Sequence, residues 1–407
     1  MITYQEALEK IADACELLPV EEIPLRQSHR ETLAEDVFLL EDLPLFDNSA
    51  MDGYVLRASD IRHASEKKPV ILVCQGVIGA GEASQLSVGA GTCLKIMTGA
   101  LIPPDGDSVV PVEKTLSEAN RVAFGEPAEP GDCIRRRGEE MKAGERLVEK
   151  GNLIDSVVWG LLATANKASV PVYRKPKVAL LVTGDELVEP GEPMKPGSIR
   201  NSNGFSMLGA LRELGVETID LGVGRDDRAD LEKRLEEGSR ADVLITVGGV
   251  SAGDFDHIRD LLAEGFLGFK ESFYKVQIRP GKPVRFGTMG KTLVFGLPGN
   301  PVSCLVGFHL FVKPALRKMW GFREWENPVY RAILEEDIHS PAPVLNFWRG
   351  KVSPKGGSGE WRVVPKQKAG SGMLTTFLDA NCFVPVPIEK DRLVRGDTVD
   401  VIPLGGF

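Results

Sequence analysis

No pair of cysteines in the 407 residues stands at CxxC spacing, and none of the six has a zinc-like spacing to the five histidines. That pattern excludes a sequence-evident zinc ribbon or thioredoxin-type motif. Scattered single thiols (Cys15, Cys74, Cys93, Cys133, Cys304, Cys382) fit a reducing compartment and small buried hydrophobes. Basic residues are in deficit, 49 against 58 acidic ones, for a net charge of −9. A nucleic-acid backbone is therefore not an expected partner. No apolar run approaches the roughly 18 residues of a membrane span. The start, "MITYQEALEKIADACELL", lacks a basic-then-apolar pattern and reads as a mature cytoplasmic beginning.

What is present is a soluble globular composition, with 43% hydrophobic and 26% charged residues. The length predicts two to four domains. Apolar positions at helical spacing (Ala7, Leu8, Ile11, Ala14, Cys15, Leu18) predict an N-terminal helix ended by Pro19. Short β-type runs such as "VILVCQGVI" and "GTCLKIM" predict a β-rich inserted domain over 46–139. Residues 1–45 with 140–173 form a discontinuous linking domain, in which "LIDSVVWGLLATA" is helical.

From 174 strand and helix alternate. "KVALLVTG", "VETIDLGVG", "DVLITVGG" and "TLVFGLPG" are strands, the first a near-continuous apolar run of the kind buried on both faces. The helices between them place Phe205, Leu208, Leu211 and Leu214 on one face, run from Ala229 to Glu237, start again at Asp256, and follow Asn300 as one long helix with Pro301 in its first turn. Residues 174–322 are thus expected to form a parallel αβα sandwich with right-handed crossovers. Five short β-type runs from 323 to 407 predict a C-terminal β-barrel.

Four Gly-rich loops follow the strands: 183–203, 224–228, 248–256 and 296–303. In an open parallel sheet, ligands bind at the carboxyl ends of the strands. "GGVSAG" has more glycine than a turn needs, and the expectation is that the Gly248 and Gly249 N–H groups, with Ser251, receive an anion beside a helix start. Asp185, Glu186, Asp226, Asp227 and Asp256 crowd the same edge with carboxylates, although Asp227 and Asp254 read equally well as helix caps. Lys275, Arg279 and Lys282 in "KVQIRPGKPVRFG" supply basic groups. Acids and phosphates in one cleft require a cation or basic groups between them, so a phosphate-type ligand with a magnesium-like ion is expected. The three arginines of "IRRRGEE" suit a phosphate-type ligand or, equally, a solvated or domain-bridging charge run.

These loops, with "PLFDNSAMDGYV", "IMTGALIPPDGDSVVPVE", "NSNGFSMLGALRELG", "RPGKPVRFG" and "GLPGNPVS", resemble the molybdopterin molybdenumtransferase (MoeA) family, which includes the E domain of gephyrin. The resemblance implies an αβα domain with a largely parallel sheet, a β-rich lobe, a linking lobe and a C-terminal β-barrel, in an elongated homodimer. It implies insertion of molybdenum from molybdate into adenylylated molybdopterin, with Mg2+ and release of AMP. On that pattern Asp52, Glu186, Asp226, Asp256 and Lys275 are catalytic, and Glu186, Asp226 and Asp256 ligate the metal. Thr98, Arg279, Lys282, Pro298, Gly299, Asn300, Pro301, Arg349 and Ser371 bind the substrate. The resemblance also implies a site shared between protomers, with the molybdopterin adenylyltransferase and acceptor molybdoenzymes as partners. Two positions depart from the family's common residues: Glu140 stands where aspartate is usual, and Arg279 where lysine is. The alternatives are a non-catalytic molybdopterin carrier or scaffold, a nucleotide hydrolase on the same αβα fold, and the related adenylyltransferase, which is normally one compact domain.

Overall fold

A computed structural model describes residues 1–82, 86–249, 257–340, 343–355, 359–367 and 370–405. The chain divides into two compact units, residues 1–35, 150–159 and 168–407, and residues 36–149 with 160–167.

The first unit is built on a six-stranded sheet in the order Glu217–Gly224, Lys177–Thr183, Val243–Val247, Thr292–Leu297, Arg285–Met289, Phe269–Tyr274. The first four strands are mutually parallel. Alternate residues of the central strands feed separate cores on the two faces, since side chains alternate along a strand. Leu180 and Ile245 enter one core, Leu181 and Leu244 the other. That two-sided burial is the physical content of the unbroken apolar runs.

The sheet is largely parallel, as expected, and Arg285–Met289 is the strand of the six that runs opposite to the rest. Arg285–Met289 and Thr292–Leu297 form an antiparallel hairpin in which Met289 faces Thr292, and Phe269–Tyr274 adds antiparallel to its edge. The two-residue loop Gly290-Lys291 leaves no chain for a crossover helix, and Gly290 takes the positive φ of 63° that such turns demand.

Two helix expectations change. In the helix Ser202–Leu214 the buried face is Asn203, Gly204, Met207 and Leu211, while Phe205 is 56% exposed. The three-residue spacing from Phe205 drifts round a 3.6-residue helix, so the i, i+4 set ending at Leu211 wins. Gly215 ends that helix in the left-handed region at φ 85°. The long helix after Asn300 contains a π-helical turn, Phe308–Val312, between Pro301–Gly307 and Lys313–Met319. The wider turn carries Phe308, Leu310, Phe311 and Val312 all into the core.

The N-terminal helix Tyr4–Ala14 starts on a capping box between Thr3 and Glu6 and buries Ala7 and Ile11. After residue 329 five strands close a barrel: Leu345–Pro354, Trp361–Pro365, Tyr330–Leu334, Thr398–Pro403, Cys382–Val386 and back to the first. Its interior holds Leu334, Val352, Val363, Val384 and Val401.

The second unit carries a six-stranded sheet, Ser108–Pro111, Gly53–Leu56, Thr92–Ile96, Val70–Ile78, Arg121–Phe124 and Thr115–Glu118. Tyr54 and Phe124 anchor one of its cores, Val55 and Leu94 another. Among the described residues, no helix is long and apolar enough to cross a membrane.

Candidate functional site

The parallel strands end together at Thr183, Gly224, Val247 and Leu297, and their loops emerge there. Asp185 and Asp226 meet across the first two loops, the Asp226 N–H donating to Asp185 Oδ1 at 3.1 Å. The half-buried Asp226 carboxyl is pushed above the usual carboxylate range, first by burial and then by the negative charges of Asp185 and Glu186. His257, at the start of the next helix, pulls weakly the other way. Glu186 curls back over Gly184, so closely that a Cβ on Gly184 would lie 2.5 Å from Glu186 Oε2. These three acids are gathered as expected, while Asp254, Asp256 and Ser251 lie outside the described residues. Asp227 resolves to a cap: its side chain accepts from the Asp230 N–H and begins the helix Arg228–Gly238.

The diglycine behaves differently from the expectation. Gly248 (φ 90°) and Gly249 (φ 63°) both adopt conformations that favour glycine. The Gly248 N–H, however, donates to the Leu297 carbonyl at 3.0 Å and is not offered to an anion. A Cβ there would sit 2.6 Å from the Thr183 carbonyl oxygen. Gly248 thus lets three strand ends close on one another.

The loop 298–303 links this acidic edge to a basic recess. Gly299 approaches Gly248, and its carbonyl accepts from Asn203 Nδ2 at 2.7 Å. Asn300 occupies the cap position with Pro301 at N1, as read from the sequence, but its side chain makes no capping bond. Pro298 is buried and Gly299 exposed. Two residues past Pro301, Ser303 joins Arg279, Lys282 and Ser371 around a recess of about 520 Å3. The Val302 N–H donates to the Ser371 carbonyl, which fixes that wall. A second recess, of about 190 Å3, shares Arg279 and Pro280 and is completed by His339, Asn346 and Arg349. Arg349 is 2% exposed, and its Nε donates to Thr376 Oγ1 at 3.2 Å. Burial lowers its pKa from the usual guanidinium range.

Lys275 lines neither recess. It ends the strand Phe269–Tyr274 in the left-handed region at φ 71°, with its Nζ 4.7 Å from the Tyr274 ring centroid.

In the second unit Asp52 and Thr98 come together. Asp52 Oδ1 accepts from both the Thr98 N–H and Oγ1, each at 2.7 Å. Those two donors, the backbone one first, hold the exposed carboxyl below its ordinary value. Two of the clustered arginines already have acidic partners: Arg136 pairs with Asp47 at 2.7 Å and Arg137 with Asp42 at 2.6 Å.

Sequence reasoning did not single out Asn203. Its Oδ1 is buried without a hydrogen-bond partner, beside the Gly299 loop. The available signal was a polar amide on the helix face shared with Met207 and Leu211. Among the described residues, no three His, Cys, Asp or Glu side chains form a group able to hold a metal ion.

Comparison with known proteins covers nearly the whole chain. Residues 2–166 match the model of the MoeA N-terminal region (domain I and II), 179–318 that of a probable molybdopterin binding domain, and 331–404 that of the MoeA C-terminal region (domain IV). A molybdopterin molybdenumtransferase of Haemophilus influenzae is 36% identical, over 99% of this chain and 98% of that one. Molybdopterin molybdenumtransferase 2 of Mycobacterium tuberculosis is 34% identical, with 98% of each chain covered. A crystal structure of the molybdopterin biosynthesis MoeA protein from Pyrococcus horikoshii OT3 superposes with a TM-score of 0.83 at 30% identity, over 99% of this chain and all of that one.

Proposed function

Because the chain belongs to the molybdopterin molybdenumtransferase (MoeA) family of molybdenum cofactor biosynthesis, we propose that it cleaves adenylylated molybdopterin in the presence of molybdate, releasing AMP and the molybdenum cofactor. The observation that carries the reading is the acidic edge next to a basic recess. Burial, and then repulsion from Asp185 and Glu186, raises the Asp226 pKa, while Arg279 and Lys282 line a recess joined to that edge through 298–303.

Asp185, Glu186 and Asp226 do not by themselves form a metal-holding group, but their chemistry suits a divalent cation completed by a further ligand. The carboxylates are hard oxygen ligands, and the charge penalty on Asp226 is what a cation would relieve. Glu186 and Asp226 would hold magnesium, with Asp256, which lies outside the described residues, as the third ligand that the family resemblance implies. When bound, the ion supplies positive charge to a pyrophosphate whose P–O–P link is breaking. Arg279 provides a planar fork suited to two phosphate oxygens, and Lys282 a point charge beside it. Arg349, already desolvated, offers a charge that water does not screen, on the side bounded by Asn346 and His339. The buried Asn203 carbonyl oxygen is an acceptor suited to an N–H or O–H of the substrate. Molybdate is an oxyanion substrate, and the same recess chemistry suits it.

The reading includes Lys275, Thr98 and Asp52 as site residues, the four-part domain division, and a homodimer, which sedimentation equilibrium would check. Incubation with adenylylated molybdopterin, magnesium and micromolar molybdate should release AMP, and omission of either ion should abolish release. Tight substrate binding without AMP under any oxyanion would favour a non-catalytic carrier instead.

A further inference from the structure

A recess of about 840 Å3 lies in the first unit among residues that the proposed reaction does not use. The helix Lys313–Met319, the segment Phe322–Tyr330 and the turn Gly151–Leu153 enclose it. Lys313 and Arg317, four residues apart and so on one helix face, both line it. Lys313 is only 8% exposed, and one of its three ammonium donors goes to the Leu404 carbonyl at 2.8 Å. The buried Arg317 Nε has no hydrogen-bond partner.

This arrangement concentrates uncompensated positive charge. Burial and the neighbouring Arg317 push the Lys313 ammonium down to about 8, with Glu213 the one acid acting against them. Burial lowers Arg317 as well. His309, one turn earlier, is pushed to about 3 by burial and by the same two cations, so it stays neutral. Desolvated cations without a bonded carboxylate are costly, and an anion between them offsets that cost. Glu324 and Glu326 also line the recess, but both are exposed and screened by solvent.

The walls are aromatic and held in place. Trp325 has Lys318 Nζ 4.9 Å from its ring centroid, and Asn327 Nδ2 donates to the His309 carbonyl at 2.8 Å. The volume lies within the roughly 300–1,000 Å3 of small-molecule sites. We propose that this recess binds a small organic anion, with its phosphate or carboxylate between Lys313 and Arg317 and its ring against Trp325 and Tyr330.

The test uses the full chain with phenyl phosphate, benzoate and inorganic phosphate as probes in isothermal calorimetry. The background is Arg279→Gln/Lys282→Gln, because those residues form a separate basic recess. Phenyl phosphate should bind in this background, and adding Arg317→Gln should weaken it by about tenfold or more, the loss of a charge-assisted hydrogen bond. Trp325→Ala should weaken phenyl phosphate and benzoate but leave inorganic phosphate unchanged. It also serves as the test if Arg317→Gln fails to fold. Phenyl phosphate binding better than benzoate would identify a phosphate ester as the ligand class, and the reverse a carboxylate. Absence of binding in the background, or binding unaltered by both substitutions, would overturn the proposal.

Discussion

Asp52 and Asp226 are both loop aspartates in polar surroundings, yet the protein treats their charges oppositely. Asp52, in the second unit, receives two hydrogen bonds from Thr98 and is held ionised below the ordinary range. Asp226, at the strand ends of the first unit, is partly desolvated beside two other acids and resists ionisation. The first arrangement is complete in itself. The second gathers negative charge where burial already disfavours it, so the two carboxyls differ in whether their surroundings favour the ionised form.

The sharpest way to break the comparison is Asp226→Asn. Turnover, measured as AMP release, should fall on the order of 10²-fold, as for removal of one preorganised electrostatic group. Thermal stability at neutral pH should hold or rise, because the substitution removes a destabilised charge. A marked loss of stability would mean that Asp226 is structural.

Next in size is the response to magnesium. A ligand that binds only the folded state at 100 times its Kd stabilises by about 2.7 kcal/mol. Saturating magnesium should therefore raise the Tm of the wild-type protein, raise that of Asp226→Asn much less, and leave the increment unchanged in Asp52→Asn. An equal increment in all three would place the ion elsewhere.

The pH dependence should then separate the two residues by sign. The folded pKa of Asp226 is raised above 3.8, so the native state holds its proton longer, and stability falls as pH rises from about 3.8 through the folded value. The folded pKa of Asp52 is depressed below 3.8, so its contribution is present above that value and is lost as pH falls through the folded one. Relative to wild type, Asp226→Asn should gain stability as pH rises from about 3.8 toward the raised folded value, and Asp52→Asn should lose stability as pH rises from the depressed folded value toward about 3.8. Parallel curves would remove the distinction.

The smallest effect is Thr98→Val. The side-chain donor to Asp52 is lost while the backbone donor, the larger cause of the depressed pKa, remains. A carbon-detected carboxyl titration should show the Asp52 pKa moving part of the way toward its ordinary value. No movement would assign the whole depression to the backbone.

Much of the architecture was readable because the relevant signals are local. "KVALLVTG" and "DVLITVGG" announce two-sided burial by unbroken apolar residues, and both became central parallel strands. The cap and Pro positions of Asn300 and Pro301 were likewise in place. The hairpin at Gly290 was missed because it interrupts a strand–helix rhythm with only two residues. A three-residue spacing imitates helical periodicity over one turn, which groups Phe205 with Leu208 and Leu211 in the sequence although Phe205 is exposed in the fold.

Within the candidate site, the sequence by itself determined which chemical groups stand at the strand ends: acids after the first two strands, glycines after the third, and Gly-Asn-Pro after the fourth. Periodicity, turn chemistry and βα alternation suffice for that, since each depends on neighbours a few residues away. Only the tertiary structure decided that the Gly248 N–H belongs to Leu297, that Arg136 and Arg137 belong to Asp47 and Asp42, and that Asp226 carries a raised pKa while Asp52 carries a lowered one. Hydrogen-bond commitment, desolvation and charge repulsion are set by groups tens of residues away in the chain, and folding alone brings those groups within reach.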